Sequence, residues 1–348
     1  MFRRSSLAVL AGLFLLASSS VRLIGQTSGP ATGLINRDPA VFVQSTGKIY
    51  LVDSDHDALI MLPSSGDPLR IKVGERPIAV AVNQKTGRIY VVNAAGRSVS
   101  ILDTHTDQVI ATVPTAARPY AIAVDEIGNK VYVSNTFSSM LTIIDGESGH
   151  ANNLKAGSAD AILVDSDRKK VYLLGYESDT VTQLDPATEA MEKLSAGAMH
   201  LWGMARAGKT LYISHVQDAA IAAIDLTTGS TRSLPAGAMP CAVAVSKSGQ
   251  IYVANYADGT VTIINDGVSS TLTVAAHPQA LTLDEDAGLL YVASPQQDAV
   301  TLIDTRTRRI LQRYQDPDHP YGVAFSPVTH QAYAVNQGNT PFTPLKRP

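Results

Sequence analysis

Short runs rich in Val, Ile, Thr and Tyr fill the chain from about residue 38 to residue 336, and turn-forming residues separate them. Such runs bounded by turn residues read as strands. One 37-residue stretch shows the pattern cleanly. Residues 77–82 predict a first strand, 88–93 a second, 98–103 a third and 108–113 a fourth. Gly, Asn, Asp and Thr fill the gaps between them, the residues that tolerate turn dihedrals or bond their own backbone. Helical periodicity is absent beyond the N-terminal segment. The reading is therefore all-β, built from antiparallel four-stranded meanders.

The meander repeats. Tyr50, Tyr90, Tyr132, Tyr172, Tyr212, Tyr252, Tyr291 and Tyr333 follow one another at steps of 40, 42, 40, 40, 40, 39 and 42 residues. A period of this length belongs to propellers and solenoids, in which each unit buries its faces only against its neighbours. First strands are rich in Ala and Gly, as in residues 120–124, 241–245 and 321–325, which suits crowding around a central axis. A β-propeller leaves only short protected edges and satisfies these constraints. First and second strands occur eight times and third and fourth strands seven times, 30 in all. That count favours eight blades over seven. The last blade begins with residues 320–336, and the segment before Pro39 is available as an outer strand to close the ring. The eight ladder tyrosines are expected to face neighbouring blades in the core.

The second strands carry a recognisable signature. Tyr90-Val-Val-Asn93, Tyr132-Val-Ser-Asn135 and Tyr252-Val-Ala-Asn255 are each followed by a strand ending in Ile/Leu-Asp or a close variant. Over residues 38–336 the chain resembles the YVTN family of β-propeller repeats. The motif decays at Tyr172-Leu-Leu-Gly175, Tyr212-Ile-Ser-His215 and Tyr291-Val-Ala-Ser294. The resemblance implies a propeller with a surface or periplasmic binding role and leaves the ligand open, since one fold serves many functions.

Arg3 and Arg4 precede an apolar run over residues 7–17, followed by Ser18, Ser19 and Ser20. That is the layout of a secretory signal peptide, cleaved after Ser19 or Ser20. The run is short for a membrane span, which needs about 20 apolar residues; an uncleaved anchor is the alternative. The expected organisation is a signal peptide over 1–20, a linker or closing strand over 21–37, a propeller over 38–336 and a C-terminal tail over 337–348. The protein is read as exported, periplasmic or extracellular, monomeric and without a transmembrane segment after cleavage. The net charge of −3 gives no sign of nucleic acid as a partner.

Chemistry is sparse. Cys241, the single cysteine, lies in an apolar strand and reads as an inert thiol. One cysteine excludes an intrachain disulfide and a Cys-x-x-Cys-His haem attachment. Nucleophile elbows, zinc motifs and phosphate loops do not occur, so no catalytic residue, metal site or cofactor is assigned. The cluster Asp53, Asp55 and Asp57 reads as a polar turn. Asn93, Asn135, Asn255 and Asn336 read as turn formers bonding their own backbone, and the aspartates ending third strands, such as Asp145 and Asp225, as Asx turns.

The best candidate surface is the end of the ring where first strands start, termed the top. The residues just before first strands are Asp38, Arg76, Arg118, Ala159, His200, Met239, His277 and His319. Tyr120, Trp202 and Tyr321 lie two positions further on, and His215 ends a second strand on the same face. The candidate ligand-binding set at the channel mouth is thus Arg76, Arg118, Tyr120, His200, Trp202, His215, His277, His319 and Tyr321, for a small molecule or protein partner. Exposed loop residues are the competing reading for each. Two alternatives stand beside a non-enzymatic binding protein. One is a haem or metal held through the histidines, as in the haem-binding propellers of nitrite reductases. The other is a lactonase, which needs clustered carboxylates where the ring offers only Asp38.

Overall fold

The structure is a computed structural model describing residues 38–348 apart from Phe137 and Gly338. The signal segment and the closing strand expected before Pro39 lie outside the described residues. Eight antiparallel sheets form, seven of four strands and one of three, each in strict sequence order. Consecutive order follows from the short turns, which join only neighbouring strands. No helix of the described residues is long and apolar enough to cross a membrane.

The first strands are Ala40–Val43, Pro77–Asn83, Pro119–Asp125, Ala161–Asp165, Leu201–Ala207, Pro240–Val245, Ala280–Asp284 and Pro320–Phe325. Each touches the first strands on either side, and that of blade 8 touches that of blade 1, so the ring of innermost strands is closed. Fourth strands lie outermost, and their outward residues are solvated, as in Gln108–Pro114 and Thr231–Pro235. The fold is an eight-bladed β-propeller.

Blade 8 holds a strand inside the segment read as a tail. Phe342–Leu345 pairs antiparallel with Ala332–Asn336, and Leu345 is buried. Pro344 argues against a strand from sequence alone, because proline cannot donate to a ladder. It is accommodated here because this strand is the outermost of its blade among the described residues.

Core packing lies between blades. Tyr50, Tyr90, Tyr132, Tyr172, Tyr252 and Tyr291 are essentially inaccessible to solvent, and each buries on the order of 150–250 Å². Tyr212 is also buried, whereas Tyr333 is half-exposed and meets Phe342 edge-on at 5.9 Å. Polar bonds stitch the seams. Lys48 Nζ and Tyr50 Oη reach Asp107 at 2.7 and 2.6 Å between blades 1 and 2. Arg206 meets buried Asp165 at 3.3 Å between blades 4 and 5. His330 and Arg347 both meet buried Asp284 at 2.9 and 2.8 Å between blades 7 and 8. Tyr321 Oη donates to Val52 O at 3.4 Å across the closing seam.

The third-strand aspartates behave as the sequence suggests. Asp103, Asp145, Asp185, Asp225 and Asp304 each accept two backbone N–H bonds from the residues two and three positions ahead. The second-strand asparagines do so only in part: Asn135 Nδ2 donates to Val133 O and Met140 O, and Asn336 Nδ2 to Thr340 O. Their side chains are buried and brace the third strand: Asn93 Nδ2 donates to Ser98 and Ser100, and Asn255 Nδ2 to Thr260 and Thr262, at 2.8–3.0 Å.

Candidate functional site

The rim at the top face is built on a left-handed backbone step. Arg76, Arg118, His200, Met239, His277 and His319 have φ of 50, 60, 61, 53, 55 and 51°. For residues with a Cβ this costs on the order of 1–2 kcal/mol, and hydrogen bonds hold it in place. The carbonyls of Arg76, His200, Met239 and His319 accept from the residue that follows the second strand of the same blade, at 2.9–3.2 Å. Asp57 accepts the Arg76 N–H at 2.7 Å, and Asp298 accepts the His319 N–H at 2.9 Å. In those four blades the loop before the innermost strand is thereby tied to the loop after the second strand.

The predicted residues divide into groups. Arg76, Arg118 and His319 are exposed, and Tyr120, His200 and His277 are half-buried. Trp202 and His215 are buried at 6% and 5% exposure, and Tyr321 is buried in the closing seam. The structure joins His200 and Trp202 through Tyr176, which the sequence reading did not single out. Tyr176 stands edge-on to His200 at 5.1 Å and to Trp202 at 5.4 Å across the seam of blades 4 and 5. Such arrangements are worth about 0.5–1.5 kcal/mol each beyond area burial. The motif recurs two seams further on: Tyr256 of blade 6 lies 4.7 Å from His277 of blade 7, and Gln296 Nε2 donates to its hydroxyl at 2.6 Å. Both tyrosines sit four residues beyond a ladder tyrosine, Tyr172 and Tyr252, so the Tyr-x-x-x-Tyr spacing was the available signal.

His215 stands on the same blade as His200 and Trp202. It pairs with Leu201 in register, and Val216 N donates to His200 O at 3.1 Å. Burial holds the His215 imidazolium pKa below the usual histidine value, opposed in part by the carboxylate of Asp218, so the ring is neutral near pH 7. Its Nδ1 stands 3.9 Å from Asp218 Oδ2, and its Nε2 is buried without a hydrogen-bond partner among the described residues. His277 Nδ1 is likewise buried without one. Arg76 and Arg118 stand on blades 2 and 3, three and two blades from His200 on blade 5.

The rim carries more carboxylates than the single Asp38 of the sequence reading. Asp298, Asp318 and His319 bring one potential ligand atom each within 4.8 Å of one another. All three are solvent-accessible, and the carboxylates already accept the N–H groups of His319 and Asn339. Asp258, which accepts the Ala238 N–H at 2.6 Å, performs the same loop-clamping role with no histidine beside it. The cluster is accordingly a variant of a repeated structural device. Cys241 is buried, and burial pushes its thiol pKa up to about 12.

No family model and no curated protein matches the chain. Solved propellers do. The chain is similar to dihydro-heme d1 dehydrogenase NirN in complex with DHE, with a TM-score of 0.74 and 15% identity over 88% of this chain and 75% of that one. It is similar to Kuenenia stuttgartiensis hydrazine synthase, with a TM-score of 0.60 and 18% identity over 75% of this chain and 92% of that one. It is also similar to virginiamycin B lyase from Staphylococcus aureus, with a TM-score of 0.60 and 12% identity over 79% and 94%. At these identities the likeness establishes the β-propeller fold and leaves activity open.

Proposed function

We propose that this protein is an exported propeller that binds a small planar ligand on its top rim and performs no chemistry of its own. The observation that carries the reading is the Tyr176–His200–Trp202 cluster, echoed by Tyr256–His277. Two seams place an aromatic ring against an imidazole at equivalent loop positions, and both cluster histidines ride on a left-handed backbone. Strained, aromatic-rich loops on a rigid scaffold suit recognition. The test is equilibrium binding of a panel of planar aromatic compounds, followed by the quenching of Trp202 fluorescence. Binding that is lost in a His200→Ala, Tyr176→Ala double variant supports the reading; binding that survives it, or no binding across the panel, counts against it.

A cofactor-holding propeller is the second reading. It draws on the two imidazole nitrogens left without partners among the described residues, His215 Nε2 and His277 Nδ1, the donor type that ligates haem iron and late transition metals. One of the similar propellers, NirN, is seen in complex with DHE. The residues present fit a haem-type group in donor chemistry, and His215 or His277 would hold it. An absorption spectrum and metal analysis of the exported protein decide between the readings. A Soret band or stoichiometric metal supports the second, and colourless, metal-free protein the first.

A further inference from the structure

The repeat carries an internal control for His215. Blades 2, 3, 6 and 8 place Asn93, Asn135, Asn255 and Asn336 at the end of the second strand. Each donates through Nδ2 to a hydroxyl seven residues ahead on the third strand: Ser100, Thr142, Thr262 and Thr343, at 2.8–2.9 Å. Blade 5 departs at both ends of that bond. Its second strand ends in His215, and the positions five and seven residues ahead are Ala220 and Ala222. Three of the asparagines leave an Oδ1 without a partner, but their nitrogens are all engaged. His215 has neither ring nitrogen in a hydrogen bond among the described residues.

Other departures are repaired locally. In blade 1 the residue is Asp53, and His56 and Arg70 meet its carboxylate at 2.8 and 3.1 Å. In blade 7 it is Ser294, whose hydroxyl donates to Ala275 O at 3.3 Å. At this position, among the described residues, blade 5 alone buries a ring nitrogen, His215 Nε2, without a partner, at a cost on the order of 1–3 kcal/mol. Direction is fixed by alternation along the strand. Ser214 donates to Cys241 O of blade 6, so His215 faces the other way, toward blade 4 and the seam that holds Tyr176. The Asp218 carboxylate beside Nδ1 favours the tautomer with its proton there, which leaves the lone pair on Nε2.

We infer that His215 is the polar anchor of the blade 4–5 seam, accepting a hydrogen bond through Nε2 from an O–H or N–H group of a planar aromatic ligand. This rests on the binding reading above and adds the donor requirement. The loss of hydroxyls at Ala220 and Ala222 then has a function, since a serine or threonine there would occupy the imidazole.

The test compares phenol with toluene, which share a shape and differ in the donor, by quenching of Trp202 fluorescence in the full chain. Phenol is expected to bind about tenfold more tightly, the value of one buried hydrogen bond. The double variant His215→Asn, Ala222→Ser rebuilds the brace that Asn93 and Ser100 form. It is expected to keep or raise the thermal midpoint while the phenol preference disappears. His215→Gln, whose amide oxygen reaches toward the place of Nε2, is expected to keep the preference. Equal binding of phenol and toluene overturns the inference and leaves the rim reading intact. Binding of neither overturns both. A preference that survives in the rebuilt brace, or stoichiometric metal lost with His215, also overturns it.

Discussion

The hydroxyl of Tyr50 donates to Asp107 Oδ1 at 2.6 Å across the seam of blades 1 and 2, while the hydroxyl of Tyr132, equally buried, has no partner among the described residues. The two tyrosines occupy equivalent rungs of one ladder. Tyr50→Phe is therefore expected to cost about 1.5–3 kcal/mol, the range for a hydrogen bond to a charged group. Tyr132→Phe is expected to be neutral or stabilising, because it removes a polar atom buried without compensation. Denaturant unfolding of the two variants checks the contrast.

Acid is expected to loosen the turns at the bottom of the blades together. Two backbone N–H bonds on each carboxylate lower the pKa of Asp103, Asp145 and Asp304 below the usual aspartate range. The same bonds with a lysine partner bring Asp225 to about 2, and Asp185, with Lys170 as its largest influence, also to about 2. A depressed folded pKa gives stability that is complete above the unfolded value near 4 and lost as pH falls toward 2. The thermal midpoint should fall over that window, and less so when all five positions carry Asn.

Met239 is expected to be the safest rim position to alter. It takes φ of 53° and its carbonyl is held by Tyr256 N. Glycine removes the left-handed penalty but also the packing of the Met239 side chain against the core, so Met239→Gly should change stability by less than about 1 kcal/mol in either direction. Met239→Val should destabilise, because a β-branched residue is least tolerant of that backbone. Thermal melts of the two variants separate the outcomes.

The thiol of Cys241 should resist alkylation in the native protein at pH 8. Its pKa, pushed up to about 12, and its burial both act against the thiolate. Labelling should begin only under unfolding conditions, so the alkylation rate serves as a gauge of opening in blade 6.

The architecture was legible because strand patterning and the tyrosine period both follow from what a blade must bury. The Asx turns were legible for a similar reason, since their bonds are local. The asparagine braces were missed because the hydroxyls they reach stand on the third strand, five to seven residues ahead. Tyr176 and Tyr256 escaped because they lie just beyond the second strand, where side chains vary from blade to blade. The tail strand was hidden by Pro344, which reads as a strand breaker until its edge position is known. Arg76, Arg118, His200, His277 and His319 share one left-handed backbone step, but their differing depths were set by neighbours that spacing does not reveal.

The segment after residue 337 also works as a latch. Tyr314 Oη donates to Lys346 O at 2.8 Å, and Arg347 reaches Asp284 at 2.8 Å, so its last residues grip blade 7 after completing a strand in blade 8. A protease that trimmed a dozen residues there would do more than shorten an end. It would strip blade 8 of its third strand, take the guanidinium from the carboxylate of Asp284 and expose a raw sheet edge on which another chain can polymerise. For anyone handling the protein, integrity of that short stretch is the quality to verify before judging whether a preparation is monodisperse.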